Sequence, residues 1–459
     1  MRCVGVEIVG AIGRRPERRM LKATGVSTDS RGVKQGEIFF ALTGRRCDGH
    51  DFVRDALATG AAAVVVSRSV SVDPADRERV IRVADTLRAL GDSARAYRRA
   101  WRGVVVAVTG SNGKTTTREM IHHILRDSVP CKRSPKSFNT DVGVPLTLFL
   151  ADAGDKALIV EMGTNAAGEI AHLANLAEPD MGLVTNVGES HLEGLGSLDG
   201  IAREKSGLLE ALPSSGTAFL NADDPLCEFL RKRANCAVKT FGLARESDIR
   251  GMDVKPTARG HDFTISGDAR ASLRVPGLHN VRNALGACAV ARGLGVPLRD
   301  AAERLSDFRL PDLRCQVERI RGVTVVADCY NANPVSMRAA LETFRAMATV
   351  GRRAAVFGDM LELGEESLRF HEALGGQAAE NVDALWAVGR YADSVVESAR
   401  MHGIKGPARG AEDLNEIAHE ILDYLRPGDA LLVKGSRGMR LERLVERFRE
   451  RVPVAAGRS

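Results

Sequence analysis

Aromatic side chains are scarce, with Phe, Trp and Tyr together making up 4% of the 459 residues. A platform that stacks bases on ring faces needs more of them, which excludes a single-strand nucleic-acid binder. The net charge of +6 is small and scattered along the chain. It suits anionic small substrates and gives no nucleic-acid footprint. Eight cysteines are present, yet none forms a C-x-x-C pair or joins a histidine at metal-ligand spacing. That excludes a disulfide framework and a zinc ribbon, and predicts a reduced, cytoplasmic protein. No apolar run approaches a membrane span. The short apolar run Val4 to Ile12 precedes the basic residues Arg14 to Arg19, the reverse of a signal peptide. G-x-G-x-x-G is missing, so no nicotinamide cofactor is inferred. N-K-x-D and the full-length Walker loop are missing as well, against a GTPase switch or a P-loop motor.

What remains is a soluble globular composition, 44% hydrophobic and 27% charged, long enough for two to four domains. The most informative stretch is VVVAVTGSNGKTTTREMIHHILR, Val104 to Arg126. An apolar β-branched run ends in a glycine-punctuated turn, and Met120, Ile121, Ile124 and Leu125 then mark one side of an amphipathic helix. This is strand, phosphate loop, helix. Gly110 and Gly113 allow the tight turn, Ser111 and Asn112 lie between them, and backbone N–H groups can point at phosphate oxygens. Lys114 would reach the β/γ-phosphates, and the Thr115 hydroxyl, followed by Thr116, would sit on Mg²⁺ at the helix N-terminus.

Other candidates follow in chain order. In VSTDSRG, the residues Ser27, Asp29, Ser30 and Arg31 form either a polar Asx-type turn or a substrate site. Strands are expected over Ile38 to Leu42 and Ala61 to Ser67, with a helix Phe52 to Thr59 between them. A helix from Asp85 to Trp101 leads into the next domain. Asn139, Thr140 and Gly143 occupy a loop before a helix begun by Pro145. Strand Ala157 to Met162 carries Glu161 near its tip, where a Mg²⁺ ligand is wanted beside a phosphate loop. A third strand ends at Gly188 and leaves His191 and Glu193 in the loop beyond it. Lys205 lies on a helix, where a lysine is ordinarily solvated. Weak short strands fill 236–275. Asn280 reads as the N-cap of an Ala-rich helix. Strand Val323 to Ala327 opens into DCYNANPVSMRAAL, with Pro334 starting a helix, and RVPVAAGRS ends the chain as a frayed tail.

The short loop G-x-x-G-K-T-T resembles that of the Mur ligases and folylpolyglutamate synthetases. The general Walker pattern would put its first glycine at Val108, and this chain has Gly110 instead. S-x-D-S-R with D-G-H-D-F, N-V-x-x-x-H-L-E-x-x-G-S, I-A-x-x-K-x-G, G-x-H-N-x-x-N-A-L, D-x-Y-N-A-N-P-x-S-M, G-D-M-x-E-L-G and V-K-G-S-R extend the resemblance along nearly the whole chain. It implies an α/β fold of three domains: an N-terminal UDP-substrate domain (1–101), a central P-loop ATPase-like parallel sheet with helices on both faces (102–311) and a C-terminal Rossmann-like domain (312–459). It also implies an ATP- and magnesium-dependent ligase of peptidoglycan synthesis. The Y-N-A-N-P run, and the lack of D-N-P-R, are similar to the branch of the family that adds D-alanyl-D-alanine to a UDP-N-acetylmuramoyl-tripeptide. Cys329 stands where that branch usually has a small serine.

Roles carried over from the resemblance are as follows. Lys114, Glu161, His191, Lys205 and Arg314 would be catalytic. A pair of magnesium ions would be held among Thr115, Glu161, His191 and Lys205, the lysine carbamylated by CO₂. Asn283 would bond the adenine, Arg314 the phosphates and Asp328 the ribose, with Tyr330 beside the nucleotide. Ser27, Asp29, Ser30, Arg31, Asn139, Thr140, Asn331, Asn333, Met360, Lys434, Ser436 and Arg437 would bind substrate. The expected protein is a monomer.

Overall fold

The computed structural model describes residues 4–12, 15–44 and 47–450. The tail RVPVAAGRS lies outside them, as does Arg14 of the basic run. Val4–Ile12 pairs antiparallel with Arg15–Ala23 as a hairpin. A four-stranded parallel sheet follows, from Gly25–Ser27, Glu37–Phe40, Ala63–Val66 and Val80–Arg82. The helix Thr86–Ala100, capped by Asp85 through bonds from Leu87 N and Arg88 N, then leads to the central unit.

Nine strands build the central sheet. In spatial order they are Ala269–Leu273, Gly260–Ile265, Ile249–Thr257, Ala237–Gly242, Thr217–Asn221, Met181–Val184, Val104–Thr109, Ala157–Glu161 and Cys131–Arg133. The first two pairings are antiparallel and all the others parallel. The segment expected as weak short strands thus extends this one sheet. Val104–Thr109 sends its connection first to one side, to Cys131–Arg133 and Ala157–Glu161, and then to the other, to Met181–Val184. That reversal opens a crevice at the carboxyl ends of these strands, where ligands of such sheets bind.

The strand is buried on both faces because its side chains alternate between two cores. Val106 and Val108 pack with Met120, Ile121, Ile124 and Leu125, while Val105 and Ala107 face the opposite layer. The second layer does not stop at the unit's edge. It continues through Leu90 and Ala94 of the Thr86–Ala100 helix to Ile38, Phe40, Ala63 and Val65 of the first sheet.

The third unit is a six-stranded sheet, ordered Gln316–Ile320, Val323–Asp328, Ala430–Lys434, Arg353–Gly358, Ala384–Val388 and Ala408–Ala411, parallel except for its first strand. Asp328 and Lys434 are register partners at the ends of adjacent strands. Leu192, Leu195 and Ile201 of the central unit pack into this unit's core beside Met337 and Leu363.

Three expectations about element ends are corrected. The strand expected to reach Gly188 ends at Val184, because the polar groups of 185–188 bond the phosphate loop instead of a sheet neighbour. The helix expected to start at Pro145 spans Gly143–Leu148. Asn280 is no N-cap: the helix Leu278–Gly293 begins after Gly277, and the Asn280 amide donates to Pro276 O instead.

Candidate active site

The phosphate loop turns at Gly110 (φ +144°) and Gly113 (φ +82°), where side chains are strained. A Cβ at Gly110 would also strike Thr185, and one at Gly113 would strike Asn283. The loop is braced from the neighbouring strand end. Ser111 N donates to Asn186 O at 2.9 Å, Asn112 N to Asn186 Oδ1 at 3.0 Å, and the hydroxyls of Thr185 and Ser111 donate to Asn112 O and Gly188 O. Lys114 opens the helix Lys114–Leu125, and its Nζ donates to Gly110 O at 2.7 Å and to Ser111 O at 3.3 Å. Burial lowers its pKa, Glu161 opposes that shift, and Arg314 adds to it.

Glu161, 2% exposed, sits opposite Val108 at the tip of the next strand. It accepts bonds at 2.9 Å from Thr115 Oγ1, Arg118 Nη1 and Asn139 Nδ2. A carboxylate and a hydroxyl held together at a helix N-terminus are the hard oxygen donors that magnesium takes, so this pair fits the ion. Among the described residues no group of three or more His, Cys, Asp and Glu side chains is gathered at metal-binding distance.

Lys205 overturns the ordinary reading of a helical lysine. It is 1% exposed on the helix Leu198–Glu210, and its side chain makes no hydrogen bond or ion pair with the described residues. Burial, reinforced by the charge of Lys114, pushes its pKa down to about 7. His191 is in the left-handed region (φ +54°), and its Nδ1 lies 2.6 Å from Glu362 Oε2 of the third unit. That contact holds the Glu362 carboxyl below the usual carboxylate range.

From the third unit, Arg314 reaches back. Its Nη2 donates to Thr115 Oγ1 at 2.9 Å, and its guanidinium carbon lies 4.0 Å from the centre of the Tyr330 ring. Asp328 Oδ2 is 2.6 Å from Lys434 Nζ, which also donates to Asn331 O, while Asp328 Oδ1 accepts from Cys315 N. Between these two faces lies a cleft of about 2010 Å³. Ser111 to Thr116, Asn139, Thr140, Glu161, His191, Asn283, Arg314, Asp328, Tyr330, Asn331 and Lys434 all line it.

Other expected site residues lie elsewhere. Ser27, Asp29, Ser30 and Arg31 are absent from the cleft wall, and they form the local turn: Ser27 Oγ donates to Asp29 O, and Asp29 bonds Arg31 N and its guanidinium. Met360 is 1% exposed in the core of the third unit and is absent from the cleft wall. The Ser436 hydroxyl accepts from Leu361 N, and Arg437 pairs with Glu442 at 3.3 Å. Asn333 caps the helix Pro334–Ala346 by accepting from Ser336 N, and its amide faces Asn112.

Two residues escaped sequence reasoning. Arg118, 2% exposed, is the buried counter-ion of Glu161. It lies three residues after Thr115 in a helix, so the two share a face, and that spacing was the available signal. Glu204, beside Lys205 and 6% exposed, accepts from Thr164 Oγ1, Gly168 N and Ile170 N and ties the loop after Glu161 to the Lys205 helix.

Comparison with known proteins bears on the whole chain. The model of the Mur ligase middle domain matches residues 108–291, that of the Mur ligase glutamate ligase domain 313–437, and that of the Mur ligase family catalytic domain 22–98. The UDP-N-acetylmuramoyl-tripeptide–D-alanyl-D-alanine ligase of Bacillus subtilis is 35% identical over 443 residues, 96% of each chain. A crystal structure of MurF from Acinetobacter baumannii superposes with a TM-score of 0.86 at 30% identity, covering 95% of each chain. MurF from Thermotoga maritima in complex with ADP gives 0.82 at 28% identity, covering 93% of this chain and 97% of that one.

Proposed function

The chain belongs to the Mur ligase family, and on that premise we propose that it uses ATP to join D-alanyl-D-alanine to UDP-N-acetylmuramoyl-tripeptide. The observation that carries the ATP half is the Thr115 hydroxyl, which donates to Glu161 and accepts from Arg314, so two units converge on the phosphate loop. The names of the full-length relatives support the two substrates. The activity belongs to the building of peptidoglycan precursors.

The chemistry takes two displacements. A carboxylate oxygen of the tripeptide attacks the γ-phosphorus of ATP, and the bond to the β-phosphate oxygen breaks to release ADP. The dipeptide amine then attacks the acyl carbon, the new C–N bond forms, and phosphate leaves as the amine gives up its proton. Lys114 and Arg314 supply positive charge to the phosphoryl oxygens, Arg314 through a fork that matches them. Thr115 and Glu161 would hold a magnesium ion, with His191 and Lys205 proposed at a second, and the bound metal neutralises phosphoryl charge. Carbamylation of Lys205 is supported by its burial and by a pKa near 7, which leaves an uncharged amine to bond CO₂ with loss of a proton. Asn283, 7% exposed beside Gly113, is proposed for the adenine side, and Asp328 and Tyr330 for the ribose side.

The units 1–101, 102–311 and 312–459 are proposed as the UDP-substrate, ATP-binding and Rossmann-like ligase domains of a cytoplasmic monomer. No helix among the described residues is long and apolar enough to cross a membrane. The deciding assay is phosphate release from ATP with UDP-N-acetylmuramoyl-tripeptide, with and without D-alanyl-D-alanine. Turnover that requires the dipeptide is expected. Turnover with a single amino acid and a shorter nucleotide would transfer the chain to a sister ligase.

A further inference from the structure

Asn112, on the cleft wall, meets Asn333, which stands 221 positions further along the chain and does not line the cleft. Asn333 Nδ2 donates to Asn112 Oδ1 at 2.8 Å, and Asn112 Nδ2 donates back to Asn333 Oδ1 at 3.2 Å. Within the pair each amide gives one bond and takes one, and Asn333 Oδ1 also accepts from Ser336 N. Such a pair is sensitive to both distance and orientation, because either amide turned over would set like atoms against each other.

Both partners are fixed from behind. Asn112 is the middle of the phosphate loop, with its N–H on Asn186 and its carbonyl accepting from Thr185 and Asn186. Asn333, 4% exposed, is the N-cap of Pro334–Ala346, in a capping box with Ser336. Next to the pair, Gly188 leaves no slack: a Cβ there would lie 2.8 Å from Val335 Cγ2. Asp328 and Tyr330 are on the segment that Asn333 ends, and Arg314 stacks on Tyr330. The pair therefore ties the phosphate loop to the segment that carries them.

We infer that Asn112 and Asn333 are a positioning pair, which registers the third unit on the phosphate loop so that Arg314, Tyr330 and Asp328 stand over Lys114 and Thr115. The proposal rests on the ligase reading for its catalytic consequence. It gives neither asparagine a contact with the reacting atoms, and it replaces the substrate-binding role expected for Asn333.

The variants are Asn112→Ala, Asn333→Asp and the double variant. Aspartate keeps the helix cap, so Asn333→Asp removes the donor to Asn112 without fraying the helix. Each single change is expected to lower kcat on the order of tenfold, with KM for ATP little moved, and the double variant to be no worse than either single. Small-angle scattering of the ATP-loaded protein reads the same pair without any acceptor, and both singles should enlarge the particle. Unchanged kcat, multiplied effects in the double variant, or unchanged scattering overturns the pair. Wild-type protein silent with every acceptor sinks the ligase reading, and scattering then still decides the pair.

Discussion

Arg118 and Glu161 are both 2% exposed and 2.9 Å apart, so neither charge has water to fall back on. Arg118→Met leaves the carboxylate buried beside Asn139 and Thr115 alone, and removing one partner of such a pair costs about 3–5 kcal/mol. Urea denaturation of the variant should show that loss as a lower midpoint at unchanged slope. His122, on the same helix, supplies a pH prediction. Burial, with Arg133 nearby, pushes its pKa down to about 4 from 6.5. Between these values the unfolded chain binds more protons than the folded one, so stability falls as pH drops from 7 toward 4. His122→Gln should lose less stability than wild type on going from pH 7 to pH 5, and the two should run parallel above pH 7. At this scale the sequence was informative wherever a residue's neighbours in the chain define its job, as at Lys114 and Thr115. It was silent where burial decides. Nothing local marks Lys205 as enclosed or Met360 as core, since the atoms that cover them come from distant segments.

The phosphate-loop element depends on two glycines for different reasons. Gly113 needs both its left-handed φ of +82° and the space that Asn283 would contest. Gly113→Ala is expected to raise KM for ATP at least about tenfold, because strain and collision both shift the N–H groups that point at phosphate. Circular dichroism should meanwhile stay native. A variant that binds ATP normally would show that the loop tolerates the side chain. Element identity was legible at Val104–Thr109, which alternates between two cores and reads as a fully buried strand, but the three-residue strand Cys131–Arg133 gave no signal. Ends were less legible. Val184 closes its strand four residues before the expected Gly188 because the phosphate loop takes those polar groups, and no sequence period records a partner 70-odd positions away.

For the whole molecule, the seam between the central and third units is built from Leu192, Leu195 and Ile201 against Met337 and Leu363, with His191 on Glu362 and Arg314 on Thr115 around it. The seam between the first and central units is also apolar, with more ion pairs around it. These two units share one continuous core through Leu90 and Ala94. Arg95 and Arg99 of the same helix pair with Glu178 at 2.7 and 2.6 Å, and Arg98 with Asp180 at 2.7 Å. Limited trypsin digestion is therefore expected to cut near 309–314 and to leave residues 25–300 as one resistant fragment. Early cleavage at Arg102 would contradict the shared core. The linear sequence suggested three domains but not how their cores join, since motifs mark sites and carry no record of which cores fuse.

That fusion also governs the order of birth. When the helix Thr86–Ala100 leaves the ribosome, its apolar side has only the first sheet for cover, because Leu173 and Leu176 are still to be translated, as is Glu178, the ion-pair partner of Arg95. The small parallel sheet must wait with an open flank for some 80 residues, which at cellular synthesis rates means roughly 4–16 seconds. A nascent chain stalled in that interval exposes apolar surface that favours aggregation.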